Sequence, residues 1–397
     1  MHSSQVLRRG MAAAFAACAI AACSDNHGSS KMVTAYAVTN LVIDKAGVDP
    51  HDGAPPPTTI DPNLVNPWGL ALAAPAPAGQ SAPMWIANNG TQTSSLYDGT
   101  GAAFAGLPWI TLPAGANGDE DPTGMVFNGT ASFALGGAGA ALFIFAGEGG
   151  AISGWSPNLA DPTHAAVMYS DAGGAVYKGL ALAANGGANF LYATDFHNAK
   201  VDVFDSSFAK VSGGAAFPFT DPALPAGYAP FGIQALQVGG QTLLYVSYAQ
   251  QQGPANHDEV DGAGLGLVDV FMPDGSFVKT LVATGGALNA PWGMALAPAD
   301  FGPLSGALLV GNFGNGWINA YDPSSGMLVA AVLDINGAPI AIPGLWGIAF
   351  GNDSASQPHN TLFFAAGTND EADGTYGRID LNTATVPASG TSPYGMN

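Results

Sequence analysis

The sequence predicts an all-β protein built as a six-bladed β-propeller with four short strands to a blade. Three observations carry this expectation. Gly and Pro interrupt nearly every apolar run, a short Gly-centred block returns six times, and an unattached strand precedes the first block. The chain has 397 residues, 48% of them hydrophobic, with 55 Gly and 29 Pro. Gly and Pro placed between short apolar runs mark turns between strands and leave few windows in which a helix would propagate.

The block first reads Asn66-Pro67-Trp68-Gly69-Leu70-Ala71-Leu72. It returns around Gly124, Gly179, Gly232, Gly293 and Gly347, at gaps of 55, 55, 53, 61 and 54 residues. Blades accordingly start near residues 66, 121, 176, 229, 290 and 345. Each block is followed by a second apolar run, such as Met84-Trp85-Ile86-Ala87-Asn88 or Leu362-Phe363-Phe364-Ala365-Ala366. A third run often closes on an aromatic residue and Asp, as in Leu96-Tyr97-Asp98-Gly99. Four strands per repeat of this length is the arithmetic of a propeller blade. The recurring glycine suits crowded innermost strands, where backbones approach closely. The sixth blade ends early, near Ile379-Asp380-Leu381, and residues 36–43 read as a strand with no blade of their own. That strand is expected to complete blade six and close the ring, which removes an open sheet edge. An open solenoid or two β-sandwiches are the alternatives.

The ends read differently from the body. Arg8 and Arg9 precede a short apolar stretch, residues 11–22, as in a signal peptide. The stretch ends in Ile20-Ala21-Ala22-Cys23, which resembles a bacterial lipobox. That resemblance implies a lipoprotein signal peptide over residues 1–22, lipidation of Cys23 and a polar tether over 23–34. Ser24 then suits anchoring at the outer membrane, in the periplasm or at the cell surface. The propeller is expected over 35–382 and a polar tail over 383–397. The remaining cysteine, Cys18, falls inside the apolar stretch, so the mature domain is expected to hold no disulfide and no Cys-based metal site.

The formal net charge is −20, and no cluster of Lys and Arg is present. Binding to a phosphate backbone needs such a cluster, so nucleic acid is excluded as a partner. Membrane contact is expected only through the lipid anchor, and the chain is expected to be a monomer. The G-x-S-x-G elbow, the H-E-x-x-H motif and the P-loop are absent from the sequence.

The run from Asp61 to Ala71, then Trp85-Ile86-Ala87-Asn88-Asn89-Gly90-Thr91, then Leu96-Tyr97-Asp98-Gly99, resembles an uncharacterised family of exported bacterial β-propeller proteins. More distantly the repeat is similar to NHL-type and gluconolactonase-type six-bladed propellers. The resemblance implies fold and export. The distant group includes binding modules, lactonases and lyases, among which fold alone does not choose.

In a propeller, the loops leading into the inner strands share one face with the loops between second and third strands. The first set brings Trp68, Tyr177, Lys178, Phe231, Trp292 and Trp346. The second brings Asn88, Asn89, Glu148, Asp195, His197, Tyr248, Gln250, Asn312, Asn315, Asn369 and Asp370. Aromatic walls with a few convergent polar groups describe a ligand pocket. Blade packing is the alternative for the aromatic residues, and turn chemistry for the Asn residues.

Glu148, an acid among glycines, would act as a general base or hold a cation. Asp195 and His197 are two apart, so on an extended segment they would face the same way and share a proton or a metal. Lys178 would meet an anionic group or pair with a carboxylate. Calcium is the expected ion, since Asp, Glu and Asn oxygens suit a hard cation. Its candidate ligands are Glu148, Asp195, Asn369, Glu371 and Asp373, the last three from a loop that partly follows a calcium-binding pattern. The long blade-four insertion, residues 250–266, carries His257, Asp258, Glu259 and Asp261 and reads as a lid or a second cation loop. Two functions follow. One is a binding or interaction module for a small ligand or protein partner. The other is a calcium-assisted hydrolase or lyase of the gluconolactonase type, with Glu148, Asp195 and His197 catalytic.

Overall fold

Each Gly-centred block is the innermost strand of a small antiparallel sheet. In the computed structural model these strands are Pro67–Leu72, Pro122–Phe127, Tyr177–Asn185, Tyr228–Val238, Pro291–Leu296 and Leu345–Phe350. The structure describes residues 31–386, apart from 51, 75–81, 117, 119–120 and 213–215. The expected signal peptide, Cys23, and most of the tether and the tail lie outside the described residues. Within them, residues 33–384 form one unit. No helix among the described residues is long and apolar enough to cross a membrane.

The six sheets make a six-bladed β-propeller. Blades one, two, four and five have four sequential strands, and blade four adds the short segment Glu259–Val260 beside its second strand. Blade three has three strands among the described residues. Blade six is composite. From the axis outward its strands are Leu345–Phe350, Leu362–Ala366, Thr375–Val386 and, from the other end of the chain, Lys31–Ile43, with the short segment Thr59–Ile60 paired in parallel at the edge. The predicted closure of the ring is therefore the observed one. The closing strand starts at Lys31, inside the expected tether, and the last strand runs to Val386, into the expected tail. The Asp44 amide donates to the Gly374 carbonyl, and the Gly374 amide returns a bond to Asp44 Oδ1. The Tyr36 hydroxyl donates to the Phe301 carbonyl of blade five at 2.7 Å.

Apolar burial is organised by blade junction. Six core clusters fill the six junctions, one between each pair of neighbouring blades. A second strand is packed on both faces, so its residues are buried without alternation, as in Met84–Asn88 and Leu362–Ala366. That is why these strands appear in the sequence as continuous apolar runs.

Crowding at the axis explains the six glycines. A Cβ built at Gly69 would lie less than 3.0 Å from Thr123 O in the next blade. Gly124 would meet Leu180 N, Gly179 would meet Ile233 N, and Gly232 would meet Trp292 O, all inside the same distance. Gly293 would meet Trp346 O and Gly347 would meet Trp68 O, which returns the series to blade one. None of the six has a left-handed φ, so close approach rather than backbone freedom selects glycine here. Register also slips at this point in every blade, between Pro67 and Leu70 in blade one and at the equivalent residues of the other five.

The substitution Gly232→Ala drives a methyl group into the Trp292 carbonyl and should cost about 2 kcal/mol or more. Thermal unfolding followed by circular dichroism measures it. An unchanged melting temperature would show that the inner strands are not in fixed contact.

Candidate functional site

Irregular register re-aims side chains, and the six residues just before the axial glycines lie in these irregular steps. They are Trp68, Thr123, Lys178, Phe231, Trp292 and Trp346. The four aromatic ones meet across the axis and form one buried cluster with Phe196, Ala229, Ala249 and Ala290. Trp68 and Trp346 stack at 3.4 Å between ring centroids, 16° from parallel. Trp292 meets both edge-on, at 5.7 and 6.0 Å, and Phe313 stacks on the far side of Trp346 at 4.2 Å. These aromatic residues plug the axis at the mouth lined by the loops. The indole N–H groups of Trp68 and Trp292 have no hydrogen-bond partner in the structure.

Lys178 is the one charged residue in this ring of six. It is 1% exposed, and its Nζ lies 5.0 Å over the Trp68 ring. The ammonium donates to Glu148 Oε1. Glu148 stands in the turn between the second and third strands of blade two, Phe143–Gly147 and Ala151–Trp155. Its other oxygen accepts from Asn89 Nδ2 at 2.9 Å. Asn66 Nδ2 donates to Asn89 Oδ1, and Trp346 Nε1 donates to Asn66 Oδ1. A polar relay thus runs from the aromatic plug to the buried ion pair, through residues of blades six, one, two and three.

The blade-four insertion supplies the rest. Asp258 Oδ1 is 4.0 Å from Lys178 Nζ and 2.8 Å from His257 Nδ1. Burial alone would lower the Lys178 pKa, but the carboxylates of Glu148, Glu259 and Asp258 outweigh it and hold the group charged. The hydrogen bond to Asp258 raises the His257 pKa, and the same bond lowers that of Asp258. Burial pushes Glu259 up to about 7 against the pull of Lys178. It also pushes Glu371 up to about 7, helped by repulsion from Glu259 and Glu148. Two carboxyl groups that titrate near neutrality beside a buried ammonium are features that concentrate at functional sites. Next to them lies a cavity of about 460 Å³ lined by Phe313, Asn315, Asp261, Asp370 and Glu371, among others. A second space of about 440 Å³ opens at the other ends of the inner strands, lined by Leu70, Met125, Leu180, Gln234, Met294 and Ile348 among others, and holds no titratable group.

Other expected site residues are elsewhere or otherwise engaged. Asn88 Nδ2 donates to Thr93 Oγ1 and Ser95 Oγ inside blade one. Asn312 donates to the Ala287 carbonyl and accepts from the Asn289 amide, so it braces a loop. Tyr248 is buried in the core between blades three and four. Asp195 and His197 do not face the same way, because the strand Ala188–Asp195 ends at Asp195 and a turn follows. The Asp195 carboxylate accepts from the Val176 amide and from Asn198. His197 Nδ1 instead donates to the Ala255 carbonyl in the insertion at 2.9 Å.

The expected calcium loop also divides. Asn369, Asp370 and Glu371 all have left-handed φ, 56°, 51° and 65°. Asp373 pairs with Lys45 and accepts from Asn369 Nδ2, while Glu371 lies within electrostatic reach of Glu148 and Lys178. The five candidate calcium ligands therefore form no single oxygen cage. Among the described residues, the set whose ligand atoms do converge, all within 4.8 Å, is Glu148, His257 and Asp258. Its imidazole suits a zinc-like ion better than calcium, and the Lys178 ammonium shares the same carboxylates.

No family model matches the chain. It is 32% identical over 376 residues to the uncharacterized protein R648 of Acanthamoeba polyphaga mimivirus, across 91% of this chain and 84% of that protein. It is 30% identical over 366 residues to the uncharacterized protein L690 of the same virus, across 89% and 87%. The chain belongs to the family of these mimivirus proteins. Among solved structures, the soluble aldose sugar dehydrogenase of Escherichia coli in its apo form is similar over 87% of this chain and 99% of that one. The identity is 13% and the TM-score 0.48.

For this family member the two raised carboxyls set a pH dependence. Their folded pKa values, about 7, lie above the ordinary 4.5. The folded state therefore keeps protons that the unfolded chain has released, and stability falls as pH rises from 4.5 through 7. Glu259→Gln mimics the neutral form. It should raise the melting temperature at pH 8 and leave it nearly unchanged at pH 4.5. A larger gain at the acid end would reverse the sign and refute the assignment.

Proposed function

We propose that the chain is an exported, lipid-anchored β-propeller acting as a binding module, with its ligand site at the loop-lined mouth. The buried Lys178–Glu148 pair carries this reading. Lysine is almost never buried this fully without a partner, and a buried ion pair contributes little net stability compared with apolar residues of the same volume. Its presence on an aromatic plug, beside an open cavity and two carboxyls near neutrality, therefore favours a role in recognition. Export is supported by Arg8, Arg9, the apolar stretch 11–22 and the lipobox-like run ending at Cys23, and by the motifs similar to exported bacterial propellers. The acidic charge fits a monomer that contacts the membrane through its anchor alone and takes a small ligand or a protein segment.

A second reading, a metal-assisted hydrolase or lyase of the gluconolactonase type, is favoured by one observation. Glu148, His257 and Asp258 bring three ligand atoms together. A metal held there would supply Lewis acidity, and Glu259 or Glu371 would hold the proton.

Lys178→Met alone strands Glu148 in the interior and should cost about 3–5 kcal/mol. The double variant Lys178→Met/Glu148→Leu should recover most of that stability, read by denaturant unfolding. Compounds and peptides that raise the melting temperature of the wild type should then fail to stabilise the double variant. Retained stabilisation by the same compounds would place the binding site elsewhere. Titration with Ca²⁺ and Zn²⁺ separates the two readings. A zinc-dependent gain in melting temperature that His257→Ala abolishes would favour the metal-assisted one.

A further inference from the structure

No residue of the blade-four insertion, 250–266, belongs to an apolar core cluster. Glu259 and Val260 pair with Gln251 and Gln250, so the loop is a short hairpin rooted on the second strand of blade four. Its base is held down. The Gln251 side chain donates to the Phe196 carbonyl, and the Gly262 amide donates to Asn289 Oδ1 at 2.6 Å. Its tip is held differently. None of residues 252–258 belongs to the buried core. The tip touches the other blades through polar contacts, the Ala255 carbonyl on His197 and the Asp258 carboxylate near Lys178. The Asp258 side chain is 63% exposed while that of Lys178 beneath it is 2% exposed.

The tip is closed by its own backbone bonds, from the Gln252 amide to the Asp258 carbonyl and from the Asn256 amide to the Gln252 carbonyl, and a segment outside the buried core opens at less cost than one packed within it. Here the group it covers is the least ordinary in the protein, a buried ammonium paired with Glu148. We propose that residues 252–258 are a lid over the Lys178–Glu148 pair, latched by Asp258 on Lys178 and by His197 on Ala255, and lifted when the mouth takes its ligand. The inference rests on the mouth being the ligand site. The latch is built of polar contacts made one at a time, so it releases without disturbing a packed junction. The base of the hairpin, tied by Gln251 and Asn289, stays in place and acts as the hinge.

The lid is testable without a ligand. Lysine acetylation by an N-hydroxysuccinimide ester, mapped by peptide mass spectrometry, reports access to Lys178, with the exposed Lys45 as reference. In the wild type Lys178 should be labelled far more slowly than Lys45. The variant His197→Ala/Asp258→Asn should speed labelling of Lys178 about tenfold, as expected from loss of one hydrogen bond and one partly exposed ion pair, and leave Lys45 unchanged. Amides of residues 252–258 should exchange hydrogen faster than those of Leu267–Phe271. Equal labelling of Lys178 in both proteins, or equally slow exchange in the two segments, overturns the lid. Because neither readout involves ligand, a failed lid leaves the mouth as the binding site. Ligand binding that survives the Lys178→Met/Glu148→Leu change would remove the site and leave the lid's mobility intact.

Discussion

Six strands meet around one axis only if each shows its neighbour a residue without a side chain. In this propeller that constraint is met six times, at Gly69, Gly124, Gly179, Gly232, Gly293 and Gly347, each against the backbone of the next blade. The residue before each glycine sits in a step of irregular register, which frees it from the junction cores and turns it to the axis. Four of these positions are aromatic and seal the axis. A fifth, Lys178, carries charge into a region that is otherwise apolar. The aromatic plug with its buried charge is in this sense a by-product of the packing rule that makes the ring.

Charge balance at the mouth is unusually tight. One ammonium, one imidazole and the carboxyls of Glu148, Asp258, Glu259 and Glu371 act on one another within one small volume. Burial penalises the charged forms of Lys178, His257, Asp258, Glu259 and Glu371. The pair Lys178–Glu148 is relieved by its own hydrogen bonds, whereas Glu259 and Glu371 are relieved by holding protons. A small change of charge at the mouth therefore shifts the protons held by Glu259 of blade four and Glu371 of blade six.

How much of this was legible in the sequence differs by residue. The axial glycines were legible because the steric demand is local and repeats at nearly constant spacing. The closing strand was legible because residues 36–43 had no blade while the last blade was a strand short. Glu148 and Lys178 each stood out singly, one an acid among glycines and the other a rare base. Their pairing did not, because it joins different blades. The period-two argument for Asp195 and His197 failed where the strand stopped. The oxygen spacing of the loop at Asn369, Glu371 and Asp373 was real, but Asp373 is taken by Lys45 and Asn369 while Glu371 lies among the charges around Glu148 and Lys178. Asn66, which links Trp346 to Asn89, carried no signal beyond its place in the first block.

Blade six joins the first described strand, Lys31–Ile43, to the last, Thr375–Val386. Loop-closure entropy and the timing of synthesis both bear on that junction. A chain made from its N-terminus produces the closing strand first and its partner last. For nearly the whole interval an apolar strand with an unpaired edge must wait, and the sixth junction core cannot form. Five blades have all their strands while the ring is still open. Assembly of the mouth, which draws on blades at both sides of that gap, thus waits on the pairing of these two strands.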